Sequence, residues 1–217
     1  RYPTEIVETM KTLGLFGLTI DEAHGGMGAD LVTLAIAFEE ISRGWMGVAG
    51  ILGSHSLACR MIGKWGTEEQ KARYLPALAT GERRTCIALT EPDAGSDLQS
   101  IKTRAVRDGD EYILNGTKTW ITNARFADPM PVLCKTDPLI EPRHRGMSVL
   151  LVEAGTPGFT VLRDLGKLGY KGPESCEVVF EDCRVPAANL LGGQEGSGLM
   201  QVLAALEVGQ LVLHRLE

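Results

Sequence analysis

The sequence predicts an α+β multidomain protein: an amino-terminal α-helical domain, an antiparallel β-barrel or sandwich in the middle, and the start of a carboxy-terminal helical bundle. Three observations carry this reading. Apolar residues recur every three to four positions over roughly the first 80 residues. From about Arg84 the period drops to two, and it returns to helical spacing after the glycine-rich turn at Gly192, Gly193, Gly196 and Gly198. The predicted domains are 1–83, 84–190 and 191–217.

The first helix follows Pro3-Thr4, with Ile6, Val7, Met10 and Leu13 on one face and Gly14 as its stop. A loop, His24-Gly25-Gly26-Met27-Gly28, leads to Asp30, which caps a second helix with Leu31, Leu34, Ala35, Phe38 and Ile41 on its face and an end at Gly44. A third, from about Met46 to Ile62, is apolar nearly all round, which predicts burial among other helices. Thr67-Glu68-Glu69-Gln70 has capping-box spacing and opens a fourth helix, which Pro76 and Gly81 are expected to end. In the β region, Asp108-Gly109 and Asn115-Gly116 are both hairpin signals, with Glu111 to Leu114 between them and Lys118 to Thr122 after. Strand-like runs also cover Cys86 to Leu89, Val132 to Thr136, Met147 to Glu153, Phe159 to Leu162 and Glu177 to Phe180. The last helix carries Leu199, Leu203, Leu206 and Leu211 as an apolar face with no downstream partner, so a further helical domain is expected beyond it.

Composition excludes several classes. With 44% hydrophobic and 23% charged residues, the chain has the make-up of a globular protein, not of a disordered or fibrous one. No apolar run approaches the roughly 18 residues of a membrane span. The net charge of −6, spread without blocks, argues against nucleic-acid binding, which relies on clustered Lys and Arg. Five cysteines (Cys59, Cys86, Cys134, Cys176, Cys183) are an odd number without a CxxC pair, and four scattered histidines (His24, His55, His144, His214) lack ligand spacing. A reducing compartment and no metal site are the expectations, with the bacterial cytoplasm placed ahead of the mitochondrial matrix and secretion excluded. The start, Arg1-Tyr2-Pro3, lacks an initiator Met, so the chain is expected to begin inside a longer protein.

Two clusters could carry chemistry. In Thr90-Glu91-Pro92-Asp93-Ala94-Gly95-Ser96-Asp97, Gly95 lets a ligand approach the backbone and Ser96 adds a hydroxyl, so N–H groups could hold phosphate oxygens. The plainer alternative is an acidic turn: no Lys or Arg lies between Arg84 and Lys102, and three carboxylates would repel a phosphate. In Trp120-Ile121-Thr122-Asn123, strand alternation puts the Trp120 ring and the Thr122 hydroxyl on one face, which suits a planar, hydrogen-bonding ring system. Core packing of Trp120 is the alternative.

Taken together these residues resemble a known family. Ala88-Leu89-Thr90-Glu91, Ala94-Gly95-Ser96-Asp97 and Ser100 are similar to the signature of the acyl-CoA dehydrogenases. Further matches are Gly25-Gly26-x-Gly28, Glu39-Glu40-Ile41, Gly66 to Lys71, Tyr74-Leu75-Pro76, Asn115-Gly116-x-Lys118-x-Trp120-Ile121-Thr122-Asn123 and Phe180-Glu181-Asp182-x-Arg184-Val185-Pro186. The resemblance covers nearly all of the chain in order.

The resemblance implies an FAD enzyme that removes an α-proton and a β-hydride from an acyl-CoA thioester to give the trans-2-enoyl-CoA. An acyl-CoA oxidase on the same fold, or a non-catalytic acyl-CoA- or partner-binding module, stays open as an alternative. By resemblance the FAD is lined by the stretch from Ile87 to Ser96, with Leu89 and Thr90 near the ring and Gly95 and Ser96 toward phosphates and substrate. Trp120, Ile121 and Thr122 cover the ring, the Thr122 hydroxyl near flavin N5. Ser96, Thr136 and Glu207 are implied to contact the acyl-CoA, Thr136 and Glu207 through its coenzyme A part. No residue of the chain is assigned as the catalytic base: family members use a Glu, which is expected beyond Glu217, and the alternative position holds Gly209. Gln210 departs from an Arg common in the family, which leaves open whether the sequence after Gly209 is native continuation or, at Leu216-Glu217, a cloning scar. An electron-transfer flavoprotein as acceptor and a homotetramer are further implications, whereas acyl chain length and branching are not legible.

Overall fold

The computed structural model describes the backbone of residues 2–213 and the side chains of residues 2–207. The first helix, α1 (Thr4–Thr12), buries Val7 and Met10, and Gly14 takes a left-handed conformation (φ 71°) just after it. Ile6 and Leu13, expected on the same face, are exposed. Next, α2 (Leu31–Trp65) is capped by the Asp30 carboxylate, which accepts the Thr33 N–H at 2.8 Å. In place of the expected end at Gly44 there is a break one residue later, where Trp45 leaves helical geometry (φ −161°, ψ 101°). The Trp45 indole N–H donates to the Lys171 carbonyl at 2.9 Å, and Gly47 lies against the same carbonyl with no room for a Cβ. The half of α2 beyond the break is buried as predicted, through Val48, Ile51, Leu52, Ala58, Met61 and Ile62.

The predicted capping box is present: Thr67 and Gln70 close reciprocally on the start of α3 (Glu68–Ala79). Pro76 does not end this helix as expected. A proline removes one ladder bond, here the one to the Ala72 carbonyl, and the buried Tyr74, Leu75, Leu78 and Ala79 hold the last turn regardless. Fully buried His55 on α2 joins three parts of the chain. Its Nε2–H faces the Phe16 carbonyl at 3.1 Å, and its Nδ1 accepts the Thr85 N–H at 3.3 Å.

Six strands form one sheet in the order β4-β3-β1-β2-β6-β5. They are β1 (Arg104–Asp108), β2 (Glu111–Thr122), β3 (Met130–Lys135), β4 (Met147–Val152), β5 (Phe159–Asp164) and β6 (Ser175–Pro186). All neighbours are antiparallel except β1 and β3, which meet in parallel at Arg104 and Lys135, so the sheet is mixed. The Asp108-Gly109 hairpin forms, Gly109 supplying φ 61°. Asn115-Gly116 makes no hairpin: β2 runs straight through it as a bulge. The Asn115 amide is clamped to Asp182, accepting its N–H at 2.9 Å and donating to its carboxylate at 3.1 Å, and a Cβ on Gly116 would fall 2.7 Å from the Thr103 Cα. Cys86 to Leu89 is extended but forms no ladder, touching β3 through a single parallel bridge between Ala88 and Val132. Pro129 and Pro131 have no N–H to continue the pairing.

β3 and β4 are covered on both faces. Val132, Cys134, Leu150 and Val152 pack into the sheet's own core with Tyr112, Leu114 and Phe180, while Leu133, Met147, Val149 and Leu151 pack against Ile62, Tyr74 and Leu78 of the helices. This explains a strand apolar at five of six positions. The final helix, α4 (Gly198–Leu213), lies against α2. It buries Gln201, Val202 and Ala205, and of the predicted leucine stripe Leu199 and Leu206 pack half-buried against the same core while Leu203 is exposed; the Leu211 side chain lies outside the described residues. All five cysteines are buried and unpaired. No described helix is long and apolar enough to cross a membrane.

Candidate functional site

A cleft of about 500 Å³ opens between α2 and the sheet. One wall is the α2 stripe Met46, Ala49, Gly50, Gly53, Leu57 and Arg60, spaced at three and four residues; the other includes Ile87, Leu89, Trp120 and Thr122. Tyr170 closes over Gly50, where a Cβ would collide with the phenol, and burial raises its hydroxyl above the usual tyrosine range. Leu206 of α4 also lines the cleft.

Trp120 owes its place to a local irregularity. Pairing between β2 and β6 slips between Lys118 and Ile121, and Trp120 takes φ 61°, a conformation costly for a bulky residue. Its indole is left 56% exposed, which is not how a packed core tryptophan sits. Two contacts hold the end of this strand to α2: Asn123 Nδ2 donates to the Ile51 carbonyl at 2.9 Å, and Ser54 Oγ to the Thr122 carbonyl at 3.4 Å. Ile121 points the other way. Its side chain is buried in the sheet core, so only its backbone could cover a ligand in the cleft.

Two of the three carboxylates of the acidic turn are paired by lysines from outside it. Glu91 is buried, and its carboxylate accepts from Lys118 Nζ at 2.9 Å and from the N–H groups of Lys102 (2.6 Å) and Thr103 (3.0 Å). Burial alone would raise the Glu91 carboxyl, but Lys118 and these N–H groups hold it below the usual carboxylate range. Lys118 Nζ also donates to the Leu89 carbonyl at 2.8 Å and so ties the cleft wall to the turn. Asp93 pairs with Lys102 at 2.7 Å, and Asp97 accepts the Gln99 N–H and the Ser100 hydroxyl. Glu91 and Asp93 are thus paired by Lys118 and Lys102, Asp97 is held by neutral donors alone, and the expected repulsion of an anion by this turn is reduced. Lys118 entered the sequence reading only as part of a matched motif, with no role of its own, and between Thr117 and Thr119 nothing marked it as buried.

Of the predicted residues, the structure brings Ile87, Leu89, Trp120 and Thr122 together on one wall. Thr90, Gly95 and Ser96 continue the same segment outside the cleft, Thr90 half-buried and the other two exposed. Thr136 sits at the end of β3 with its hydroxyl 2.7 Å from that of Ser148, and Glu207 is exposed on α4 beside Leu206; neither lines the cleft. Gly209 and Gln210 fall where α4 is described by backbone alone, and Leu216 and Glu217 lie outside the described residues.

An apolar cleft with a few convergent polar groups, set between a helical layer and a sheet, is the architecture of a small-molecule-binding protein. Residues 1–82 match the acyl-CoA dehydrogenase N-terminal domain and residues 86–183 the acyl-CoA dehydrogenase middle domain. The chain belongs to the acyl-CoA dehydrogenase family. It is 42% identical to the mitochondrial isovaleryl-CoA dehydrogenase of Pongo abelii over 210 residues, 96% of this chain and 49% of that protein. It is 43% identical to the (2S)-methylsuccinyl-CoA dehydrogenase of Cereibacter sphaeroides over 219 residues, 96% of this chain and 39% of that one. Among solved structures, an acyl-CoA dehydrogenase from Geobacillus kaustophilus superposes with a TM-score of 0.91 at 44% identity, covering 97% of this chain and 55% of that one. A glutaryl-CoA dehydrogenase from Mycobacterium smegmatis in complex with FADH2 gives 0.87 at 35% identity, covering 97% and 52%. The chain therefore spans about half the length, or less, of these relatives.

Proposed function

We propose that the full-length protein is an FAD-dependent acyl-CoA dehydrogenase that converts an acyl-CoA thioester to the trans-2-enoyl-CoA. The observation that carries this reading is the exposed Trp120 indole, held at positive φ beside Thr122 on the wall of an apolar cleft. A planar ring system fits that wall, and the FADH2 complex of a relative supports the choice of flavin. When bound, FAD supplies the acceptor for the β-hydride at its N5. Trp120 offers the stacking surface, and the Thr122 hydroxyl is the donor toward N5. Leu89 and Thr90 border the ring, and the exposed Gly95 and Ser96 hold phosphate oxygens through the backbone, at a turn whose carboxylates are already engaged.

The acyl chain lies along the α2 stripe, Ser96 contacts the acyl-CoA, and Thr136 and Glu207 contact its coenzyme A portion. Among the described residues no carboxylate lines the cleft, so the α-proton is assigned to a glutamate outside them. The proposed acceptor of the electrons is an electron-transfer flavoprotein, the proposed assembly a homotetramer, and the proposed compartment the bacterial cytoplasm, where free cysteines persist.

The test is to purify the full-length protein, measure bound flavin, and add acyl-CoA esters of graded length anaerobically. Bleaching of the flavin absorbance with formation of enoyl-CoA is expected. Absence of flavin from the purified protein after FAD supplementation, or flavin that no acyl-CoA bleaches, refutes the reading.

A further inference from the structure

Among the described residues Lys118 is the one fully buried lysine or arginine. It stands on β2 two residues before Trp120, and its ammonium donates to the Glu91 carboxylate at 2.9 Å and to the Leu89 carbonyl at 2.8 Å. A buried ion pair is weak ground for stability, since apolar residues of similar volume often serve as well. Pairing with Glu91 also leaves unexplained why the lysine holds a main-chain carbonyl on the wall of the cleft.

The backbone around Leu89 says where that charge sits. Neighbouring Ala88 turns both of its peptide groups toward β3, its N–H to the Pro131 carbonyl at 2.8 Å and its carbonyl to the Leu133 N–H at 3.1 Å. In extended chain the next residue presents its own pair to the opposite side. There the Leu89 carbonyl meets Lys118, while the Leu89 N–H has no partner among the described residues. The Leu89 side chain lines the cleft with Trp120 and Thr122 of β2. One edge of the cleft therefore carries a free N–H beside a carbonyl whose negative end is already taken by an ammonium. The Glu91 end of the pair is held within the turn by the N–H groups of Lys102 and Thr103 at 2.6 and 3.0 Å. The pair is neutral as a whole and directs its positive end at the cleft edge.

We propose that Lys118 is a positioning residue of the ring site: it fixes the Leu89 peptide groups and sets a positive potential at the cleft edge, so that the site favours the reduced, electron-rich ring over the oxidised one. This rests on the reading of the cleft as a flavin site. Lys118 is closed off from the cleft by its burial and acts through Leu89. It draws the Leu89 carbonyl away from a bound ring and leaves the Leu89 N–H to meet an acceptor there. An acceptor that gains negative charge when the ring takes up a hydride gains most from such a preset donor and charge.

The experiment loads the full-length protein and its Glu91→Gln, Lys118→Met and Glu91→Gln/Lys118→Met variants with FAD. The two-electron midpoint potential is measured by dye equilibration, together with the Kd for oxidised FAD, and thermal midpoint reports folding. The double variant leaves no buried charge unpaired and carries the test where Lys118→Met alone does not fold. It is expected to bind oxidised FAD within about threefold of the parent and to lose about tenfold in relative affinity for the reduced form, a fall of about 30 mV for a two-electron couple. Glu91→Gln, which keeps the lysine on the Leu89 carbonyl, is expected to show no fall. An unchanged potential in the folded double variant, an equal loss of both redox forms, or the same fall in Glu91→Gln overturns the role of Lys118 and leaves the flavin reading standing. A parent protein that takes up no FAD overturns that reading and the inference together.

Discussion

Replacing His55 by Gln should flatten the acid limb of the protein's stability. In the folded state Nδ1 of His55 accepts the Thr85 N–H and its Nε2–H faces the Phe16 carbonyl, so the ring is held neutral, and a proton added at Nδ1 would have to displace the Thr85 bond. Burial, chiefly, with the nearby Arg84 charge adding to it and the Phe16 carbonyl opposing, brings the imidazole from 6.5 down to about 4. In the unfolded chain it titrates near its ordinary value. The folded pKa is therefore depressed: the contribution is complete above about 6.5, shrinks as pH falls through that value, and is exhausted below about 4. The full span is worth about 3 kcal/mol, of which about 2 kcal/mol is lost between pH 7 and pH 5. Glu174 works in the opposite sense, since burial raises its carboxyl and acidification relieves it, but this cancels when parent and variant are compared. Urea unfolding of both proteins at pH 7 and pH 5 gives the four free energies needed. The parent should lose about 2 kcal/mol more than His55→Gln over that interval. Parallel losses in the two proteins would show that burial does not keep His55 neutral in the folded state, and the reasoning would fail.

Other substitutions test the candidate site and its support. Trp120→Ala removes a stacking surface worth about 0.5–1.5 kcal/mol beyond area burial, so FAD should dissociate about two- to tenfold more readily; an unchanged flavin-to-protein ratio on dilution argues against stacking. Thr122→Val should slow anaerobic flavin reduction by about ten- to hundredfold with smaller change in acyl-CoA binding, and equal stopped-flow rates would remove the N5 donor role. Lys118→Met leaves the Glu91 carboxylate buried and unpaired, at a cost of about 3–5 kcal/mol in urea unfolding, whereas the double change with Glu91→Gln should cost less; strict additivity of the two would contradict the pairing.

Local rules were readable wherever a single segment decides its own conformation. The Asp30 cap, the Thr67–Gln70 box and the Asp108-Gly109 turn each depend on neighbours within four residues, and each forms. Asn115-Gly116 carries an equally good turn signal, yet the contact with Asp182, far along the chain, turns it into a bulge. Ile121 illustrates a second limit: the slip in pairing beside it sends its side chain to the core while Trp120 stays outside, and register is not visible in one strand alone. The Thr90–Asp97 turn looked hostile to anions because its compensating cations, Lys102 and Lys118, arrive from outside the window. On α4 the expected leucine stripe holds at Leu199 and Leu206, half-buried beside Val202 and Ala205, and fails at the exposed Leu203, because the packing surface of α2 decides which face is covered.

The double burial of β3 and β4 bears on how this protein comes apart. Leu133, Val149 and Leu151 serve the helical layer, while their immediate neighbours Val132, Leu150 and Val152 serve the sheet, so one pair of strands is built into two cores at once. Pulling the helices away would strip one face of strands whose backbone still holds the other half. The recognisable sequence domains are accordingly not separate folding units. Heat or urea should melt both in a single cooperative step, limited proteolysis should not release a stable helical piece, and a chimera that borrows its helices from a relative must bring matching partners for Leu133, Val149 and Leu151.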